Sequence, residues 1–209
     1  MAHSHRLERI IMISSQLKVS DTSRPNTSRP NTSQPNTSQP NTSQRSVDST
    51  AFRDAMARFP SGVTIVTTHD ESGRPYGFTA SSFCSVSAEP PLVLVCLAKS
   101  ANSYPVFARN GRFAISILQA DHVPLARRFA SRNVDKFACG GFVRTPRGAI
   151  VLEEALAVVE CSVHSRHEAG DHMIMVGEVE QVLLADRRPP AVYFDRAFST
   201  ICSPSCERP

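Results

Sequence analysis

The stretch TASSFCSVSAEPP at residues 79–91 puts four short hydroxyls, Thr79, Ser81, Ser85 and Ser87, on one parity and Ala80, Cys84 and Val86 on the other. Successive side chains of an extended chain point to opposite faces, so one face becomes a row of O–H groups. No acid, base or metal ligand interrupts that row. It suits the wet outer face of an edge strand. It equally suits a cradle for an anion or a polyol, because short hydroxyls let a phosphate or sugar-alcohol chain come close and donate to it without adding charge. A few residues on, Lys99-Ser100-Ala101-Asn102-Ser103 sets a cation among hydroxyls at the expected mouth of a short helix, with Ser103 as cap and Pro105 in the first turn. Charge, donors and helix dipole together favour a phosphate there. If residues 77–87 and 92–97 are adjacent strands, both features converge on one anionic ligand.

A third candidate is His172, which follows Gly170-Asp171 at an expected hairpin tip. A lone turn histidine is ordinarily solvated and inert. With His164 and His167 it makes an incomplete metal set, since no Cys or carboxylate joins them. Arg127, Arg128, Arg132, Lys136, Arg144 and Arg147 form a basic loop region that reads as solvated surface or as an attraction for nucleotide phosphates. A serine hydrolase is disfavoured because no GxSxG elbow sits on a strand–turn–helix unit.

Mostly strands must position these groups. Asp48 or Ser49 can cap a short helix with Phe52, Met56 and Phe59 as its apolar side, ended by Pro60. Residues 63–68 are β-branched and extended, 70–75 turn at Gly73, the hydroxyl strand follows, and 92–97 make a strand apolar on both faces. After the short helix come a strand at 112–118 and an amphipathic helix opened by Asp121, with Leu125 and Phe129 inward. A loop then leads to two long strand patterns, 155–166 and 172–184, forming a hairpin, and to a last short strand at 192–200. Six or more mainly antiparallel strands with a few short helices predict a mainly β closed or split barrel. No strand–helix–strand rhythm and no GxGxxG points to a Rossmann domain.

Before residue 47 the chain has another character. From Thr22 it repeats TSRPN, TSRPN, TSQPN, TSQPN, with Pro25, Pro30, Pro35 and Pro40 and nothing large to bury. That composition predicts a disordered low-complexity tail over 1–46. Six of the 23 basic residues and two of the 19 acidic ones lie in 1–45, leaving 17 of each sign beyond it. The rest of the chain is therefore neutral, which disfavours nucleic acid. No apolar run reaches the roughly 18–20 residues of a membrane span, and Ile10-Ile11-Met12-Ile13 is shorter than a signal-peptide core. Six cysteines without paired CxxC motifs predict a reducing cytoplasm, with Cys84, Cys96 and Cys161 as small core residues. Cys202 and Cys206 fall in an expected flexible tail, 202–209.

Taken in order, Phe59-Pro60-Ser61-Gly62-Val63-Thr64, the hydroxyl segment running into Glu89-Pro90-Pro91-Leu92-Val93, and Lys99-Ser100 closely resemble the flavin reductase family. These are the small reductase components of two-component flavin monooxygenases. Gly111-Arg112-Phe113-Ala114, Ala126-Arg127-Arg128-Phe129-Ala130, Asp135-Lys136-Phe137 and Gly170-Asp171-His172 extend the likeness over about residues 50–200. The resemblance implies an FMN-binding split β-barrel over 47–201, acting as a homodimer on FMN or FAD with NADH or NADPH as hydride donor, and serving a flavin-dependent monooxygenase. It implies that Thr79, Ala80, Ser81, Ser82 and Ser85 contact the flavin, with Lys99, Ser100 and Ser103 at its phosphate. Gly62, Val63 and Val86 would wall the pocket, while His172, its tip oriented by Asp171, would hold the nicotinamide nucleotide over the flavin. Hydride transfer between two stacked rings leaves the electronics to the cofactors, so no metal and no essential carboxylate is expected. The alternative of another class is a flavin-binding module that stores or senses flavin without turnover.

Overall fold

The computed structural model describes residues 47–201; the repeat-bearing tail 1–46 and the end 202–209, with Cys202 and Cys206, lie outside the described residues. Asp48 accepts from the Thr50 and Ala51 N–H groups at 3.3 and 3.0 Å and starts α1 (Ser49–Ala57). Its side-chain oxygens satisfy donors that the first helical turn cannot. Phe52, Met56 and Phe59 are nonetheless more than half exposed. The helix has an apolar side that no described residue covers.

The chain continues through β1 (Ser61–Gly62), β2 (Thr64–His69), β3 (Pro75–Ala80), β4 (Cys84–Ala88) and β5 (Pro91–Ala98) to the single turn α2 (Tyr104–Phe107). Then come β6 (Arg112–Ile117), a 3-10 turn at Ala120–His122, α3 (Val123–Ala130), β7 (Phe142–Arg144), β8 (Ile150–Leu152) and the long hairpin of β9 (Ala157–Ala169) and β10 (His172–Leu184). β11 (Ala191–Phe194) and β12 (Ala197–Thr200) close the described chain. Seven strands form one antiparallel sheet in the order β3-β2-β6-β9-β10-β5-β4. β1, β11 and β12 make a second, small sheet, and β7 pairs with β8.

Two hydrophobic clusters explain why the central strands read as unbroken apolar runs. Val66, Ile115 and Val159 join Phe78, Val95, Leu97, Phe113 and Met175 in one. Their chain neighbours Ile65, Ala114 and Val158 join Phe129, Leu118, Val151 and Ala191 in the other. β2, β6 and β9 are thus buried on both faces, one toward the barrel interior and one under α3 and β8. β5 instead alternates: Val93, Val95 and Leu97 are buried, and the residues between them only partly so. That differs from the expectation of a strand buried on both faces.

The hydroxyl segment is not one strand. Residues 81–83 turn a corner, and β3 and β4 lie at opposite edges of the seven-stranded order. Ser82 holds the corner: its Oγ accepts from the Cys96 N–H at 2.9 Å, tying the bend to β5. The single face of O–H groups predicted from parity is therefore broken in two. Other differences share a cause in short or unusual turns. The segment predicted as a loop after α3 contains the β7–β8 hairpin, whose three-residue strands are too short to display a period. The last predicted strand is the β11–β12 hairpin, turned at Asp195 and Arg196 with φ of 47° and 60°. Such a turn usually signals itself through Asn-Gly or Gly, and here it carries neither.

Cys161 lies in the core, and burial pushes its thiol up to about 12. Cys96 is partly buried, whereas Cys84, expected in the core, is exposed on β4. β10 bulges at Gly177, where an added Cβ would lie 2.5 Å from Phe113 Cζ and 2.8 Å from Cys161 Cβ. Gly177→Ala is expected to lose about 1–3 kcal/mol through overpacking, read as a lowered urea midpoint. An unchanged midpoint would mean that the β9–β10 hairpin relaxes around the methyl.

Candidate functional site

A cleft of about 270 Å³ opens where the edge strand β3 and the end of β5 approach each other beneath the end of α3. Phe78 and Thr79 of β3, the end of β5, Ser100 to Asn102, Phe129 and residues 130–132 with Lys136 line it, with His172 at its rim. Each element is fixed by a specific bond. Thr79 Oγ1 donates to the Ala126 carbonyl at 2.6 Å, fastening β3 to α3. Lys136 Nζ donates to the Gly77 and Phe129 carbonyls at 3.1 and 2.7 Å, drawing the loop after α3 against β3. Gly77 permits this approach: a Cβ there would stand 2.8 Å from Phe129 Cε1. Across the cleft, Arg132 donates to Ser100 Oγ at 3.3 Å.

The electrostatics are one-sided. No Asp or Glu lines the cleft, while Arg132 and Lys136 both do. Lys136 is partly buried with only carbonyls as partners, and this burial holds its ammonium below the usual lysine range. A cation so placed has lost hydration without gaining a counter-charge, and an anionic ligand restores the balance.

At the rim, strand pairing sets His172 opposite Ala98. Its Nδ1 lies 2.8 Å from the Asp171 carboxylate. The His172 hydrogen bond, and then its charge, hold the Asp171 carboxyl below its ordinary range. A carboxylate accepting at Nδ1 leaves Nε2 as the ring's outward nitrogen. The backbone is tied as well, since the Lys99 N–H donates to the Asp171 carbonyl at 2.9 Å.

Of the residues singled out from sequence, Thr79, Ser100 and His172 meet in this cleft. The others take different places. The Lys99 ammonium pairs with Glu168, whose hydrogen bond raises its pKa, so it is a committed cation. Ser103 is buried beside a neighbouring cavity, its hydroxyl making no cap bond to a helix only four residues long. The helix-dipole part of the phosphate expectation therefore falls away. Ser81 is exposed at the corner, Ser82 Oγ is engaged by Cys96, and Ala80 is in the core. Ser85 and Val86 are exposed at a bulge of β4, Gly62 pairs with Val192, and Val63 is buried in the second cluster. Arg132 and Lys136 were read only as part of a basic loop. Their signal was the Asp135-Lys136-Phe137 match, which placed the lysine without giving it a task.

A mostly antiparallel split barrel with a cation-lined cleft between β3 and β5 is the class of protein that the fold defines. The chain belongs to the flavin reductase family, for the model described as "Flavin reductase like domain" matches residues 56–201. It is 60% identical over 158 residues to the actinorhodin polyketide dimerase of Streptomyces coelicolor, covering 76% of this chain and 89% of that protein. It is 39% identical to the FMN reductase (NADH) RutF of Variovorax paradoxus, covering 73% and 86%. Among solved structures it resembles BorF, the flavin reductase component of a bacterial two-component tryptophan halogenase, with a TM-score of 0.69 and 36% identity over 75% of this chain and 99% of that one. The NADH:FAD oxidoreductase SgcE6 of Streptomyces globisporus C-1027, in complex with NAD and FAD fragments, gives 0.71 and 35% over 77% and 96%.

Proposed function

We propose that this chain is an NAD(P)H:flavin oxidoreductase that reduces FMN or FAD and passes the reduced flavin to a partner monooxygenase. The observation that carries the reading is the cleft itself: two cations, the hydroxyl residues Thr79, Ser100 and Ser131 and no carboxylate, with an oriented imidazole at the rim. That donor set fits a flavin phosphate and ribityl chain, and Phe78, Leu97 and Phe129 supply apolar wall. When bound, the flavin supplies a two-electron acceptor and the nicotinamide nucleotide a hydride. The chain's own part is positional. Arg132 and Ser100 bind the phosphate end, Lys136 holds the loop and adds charge, and the apolar wall excludes water. His172, fixed by Asp171, steadies the second nucleotide through Nε2. Proximity and alignment of two rings account for the acceleration.

The relatives named for FMN and FAD reduction support the activity, and one named as the reductase subunit of a flavin-dependent monooxygenase supports the partner. The 60% identity with the actinorhodin polyketide dimerase supports a partner that acts on polyketides. The uncovered Phe52, Met56, Phe59 and Leu184 support a homodimer, for which light scattering is expected to read twice the mass of the chain. No helix among the described residues is long and apolar enough to cross a membrane. The described residues also hold no metal-competent group of three or more His, Cys, Asp or Glu.

The test is oxidation of NADH and NADPH under air with FMN or FAD added, followed at the nicotinamide absorbance. Flavin-dependent oxidation is expected. Flavin binding by fluorescence quenching without any oxidation would instead indicate a storage or sensing module.

A further inference from the structure

The β7–β8 hairpin pairs with no other described strand, so side chains seat it on the barrel. At its open end Phe142 stacks on Phe129, ring centroids 5.1 Å apart, and meets Phe137 at 4.9 Å. At its closed end lies the turn Thr145-Pro146-Arg147-Gly148, closed by the Gly148 N–H on the Thr145 carbonyl at 2.8 Å. Pro146 and Gly148 stand where a tight turn favours them, and Arg147 reaches from that turn to β9 and β10. We propose that Arg147 is a positioning residue for flavin binding: clamped by Glu160 and Glu180, it sets the tilt of the hairpin and, through Phe142, the place of Phe129 in the wall of the cleft. The inference rests on the flavin reading above, and it gives a task to residues outside the cleft.

Three observations carry it. Glu160, within β9, is 4% exposed, borders a cavity of about 40 Å³, and its Oε1 has no hydrogen-bond partner among the described residues. The cation it pairs with is Arg147, whose Nε lies 3.7 Å from Oε2. A buried carboxylate so incompletely bonded stabilises little, and apolar side chains of similar volume serve such a place as well or better. Its charge is explained by what it holds. Second, β10 bulges between Val179 and Gln181, which leaves Glu180 out of register with β9. Bulges re-aim side chains, and this one presents a carboxylate that both Arg147 and Arg112 bond. The Arg147 hydrogen bond above all holds the Glu180 carboxyl below its ordinary range. One guanidinium thus ties a separate hairpin to two strands of the large sheet. Third, the contact continues to the site. Phe129, against which Phe142 rests, lines the cleft, and its carbonyl accepts from Lys136. The hairpin strands are three residues each, so the turn and the aromatic end move together.

The experiment separates holding the fold from setting the cleft. Arg147→Met keeps most of the apolar stem and strands the Glu160 charge, so the melting temperature and the flavin affinity are both expected to fall. Arg147→Met combined with Glu160→Met exchanges the pair for apolar side chains, and the melting temperature is expected to return to the native value. Flavin affinity by fluorescence quenching is expected to stay about fivefold weaker in the double variant, because the clamp is still missing. The NADH KM at saturating flavin is expected to hold, since His172 lies at the other end of β10 from Glu180. Should the single variant fail to fold, the double variant carries the test. Arg147→Lys supplies a second route: it keeps a charge for Glu160 but loses the fork that spans both carboxylates, so it should melt near the native chain and still bind flavin more weakly. Flavin affinity that recovers together with the melting temperature would overturn the inference and leave Arg147 a structural counter-ion. An NADH KM raised as much as the flavin Kd would overturn it too. Hydrogen exchange of the flavin-free chain gives a readout without ligand: amides of residues 129–131 and 142–145 are expected to exchange faster in the double variant, and equal exchange would overturn the inference. If the native chain quenches neither FMN nor FAD, the flavin reading fails separately, and the exchange comparison still decides whether Arg147 sets the place of Phe129.

Discussion

Phe129→Ala loses about 3–5 kcal/mol of unfolding free energy, the range of a buried phenylalanine cut to a methyl in a well-packed core. Phe129 is fully buried, with ring centroids 5.0 Å from Phe137 and 5.1 Å from Phe142. Its ring is also the atom group that Gly77 was kept small to admit. Collapse into the void is resisted from three sides, by α3, by the β7–β8 hairpin and by the loop that Lys136 pins to the Phe129 carbonyl. For a domain of this size the change corresponds to a melting temperature lower by roughly 10 °C. Because the same ring walls the cleft, flavin KM rises with it. The two effects separate under saturating flavin, which restores turnover well below the lowered melting temperature. A loss under 1 kcal/mol would mean that the aromatic trio repacks and that Phe129 is not held rigidly beside the cleft.

The second large effect is catalytic. His172→Ala is expected to lower kcat/KM for the nicotinamide nucleotide by about 10–100-fold while flavin binding by fluorescence quenching stays within twofold, the pattern of a lost positioning contact. The imidazole is half exposed at the rim, makes its one side-chain bond to Asp171, and supports no core cluster. Stability should therefore hardly move. Asp171→Asn gives a smaller loss of the same kind, since an amide still meets Nδ1 but no longer carries the charge that selects the ring's orientation. Equal kcat and KM in the alanine variant would remove His172 from the nicotinamide site, leaving the cleft and its cations untouched.

Sequence and structure agree most closely where local chemistry suffices. The Asp48 cap, the β-branched β2, the turn before β3 and the long β9–β10 hairpin were all legible, because each is written in a few adjacent residues. So was the split barrel, once the ordered set of family segments was recognised. The hydroxyl row misled for a physical reason. Parity assigns faces only while a strand stays straight, and residues 81–83 bend it. After the bend Thr79 spends its hydroxyl on Ala126, and Ser82 on Cys96. These hydroxyls assemble the walls of the cleft rather than face a ligand as one row.

The sequence by itself determined the class of protein, most of the longer strands, and the placing of His172 at a hairpin turn. Only the tertiary structure decided which cations face the cleft. Lys99 and Lys136 look alike along the chain, yet Glu168, brought over by the β9–β10 hairpin, takes the first, and carbonyls from β3 and α3 hold the second half-buried without a counter-charge. Charge compensation depends on distances across the fold, and residues far apart in sequence set those distances.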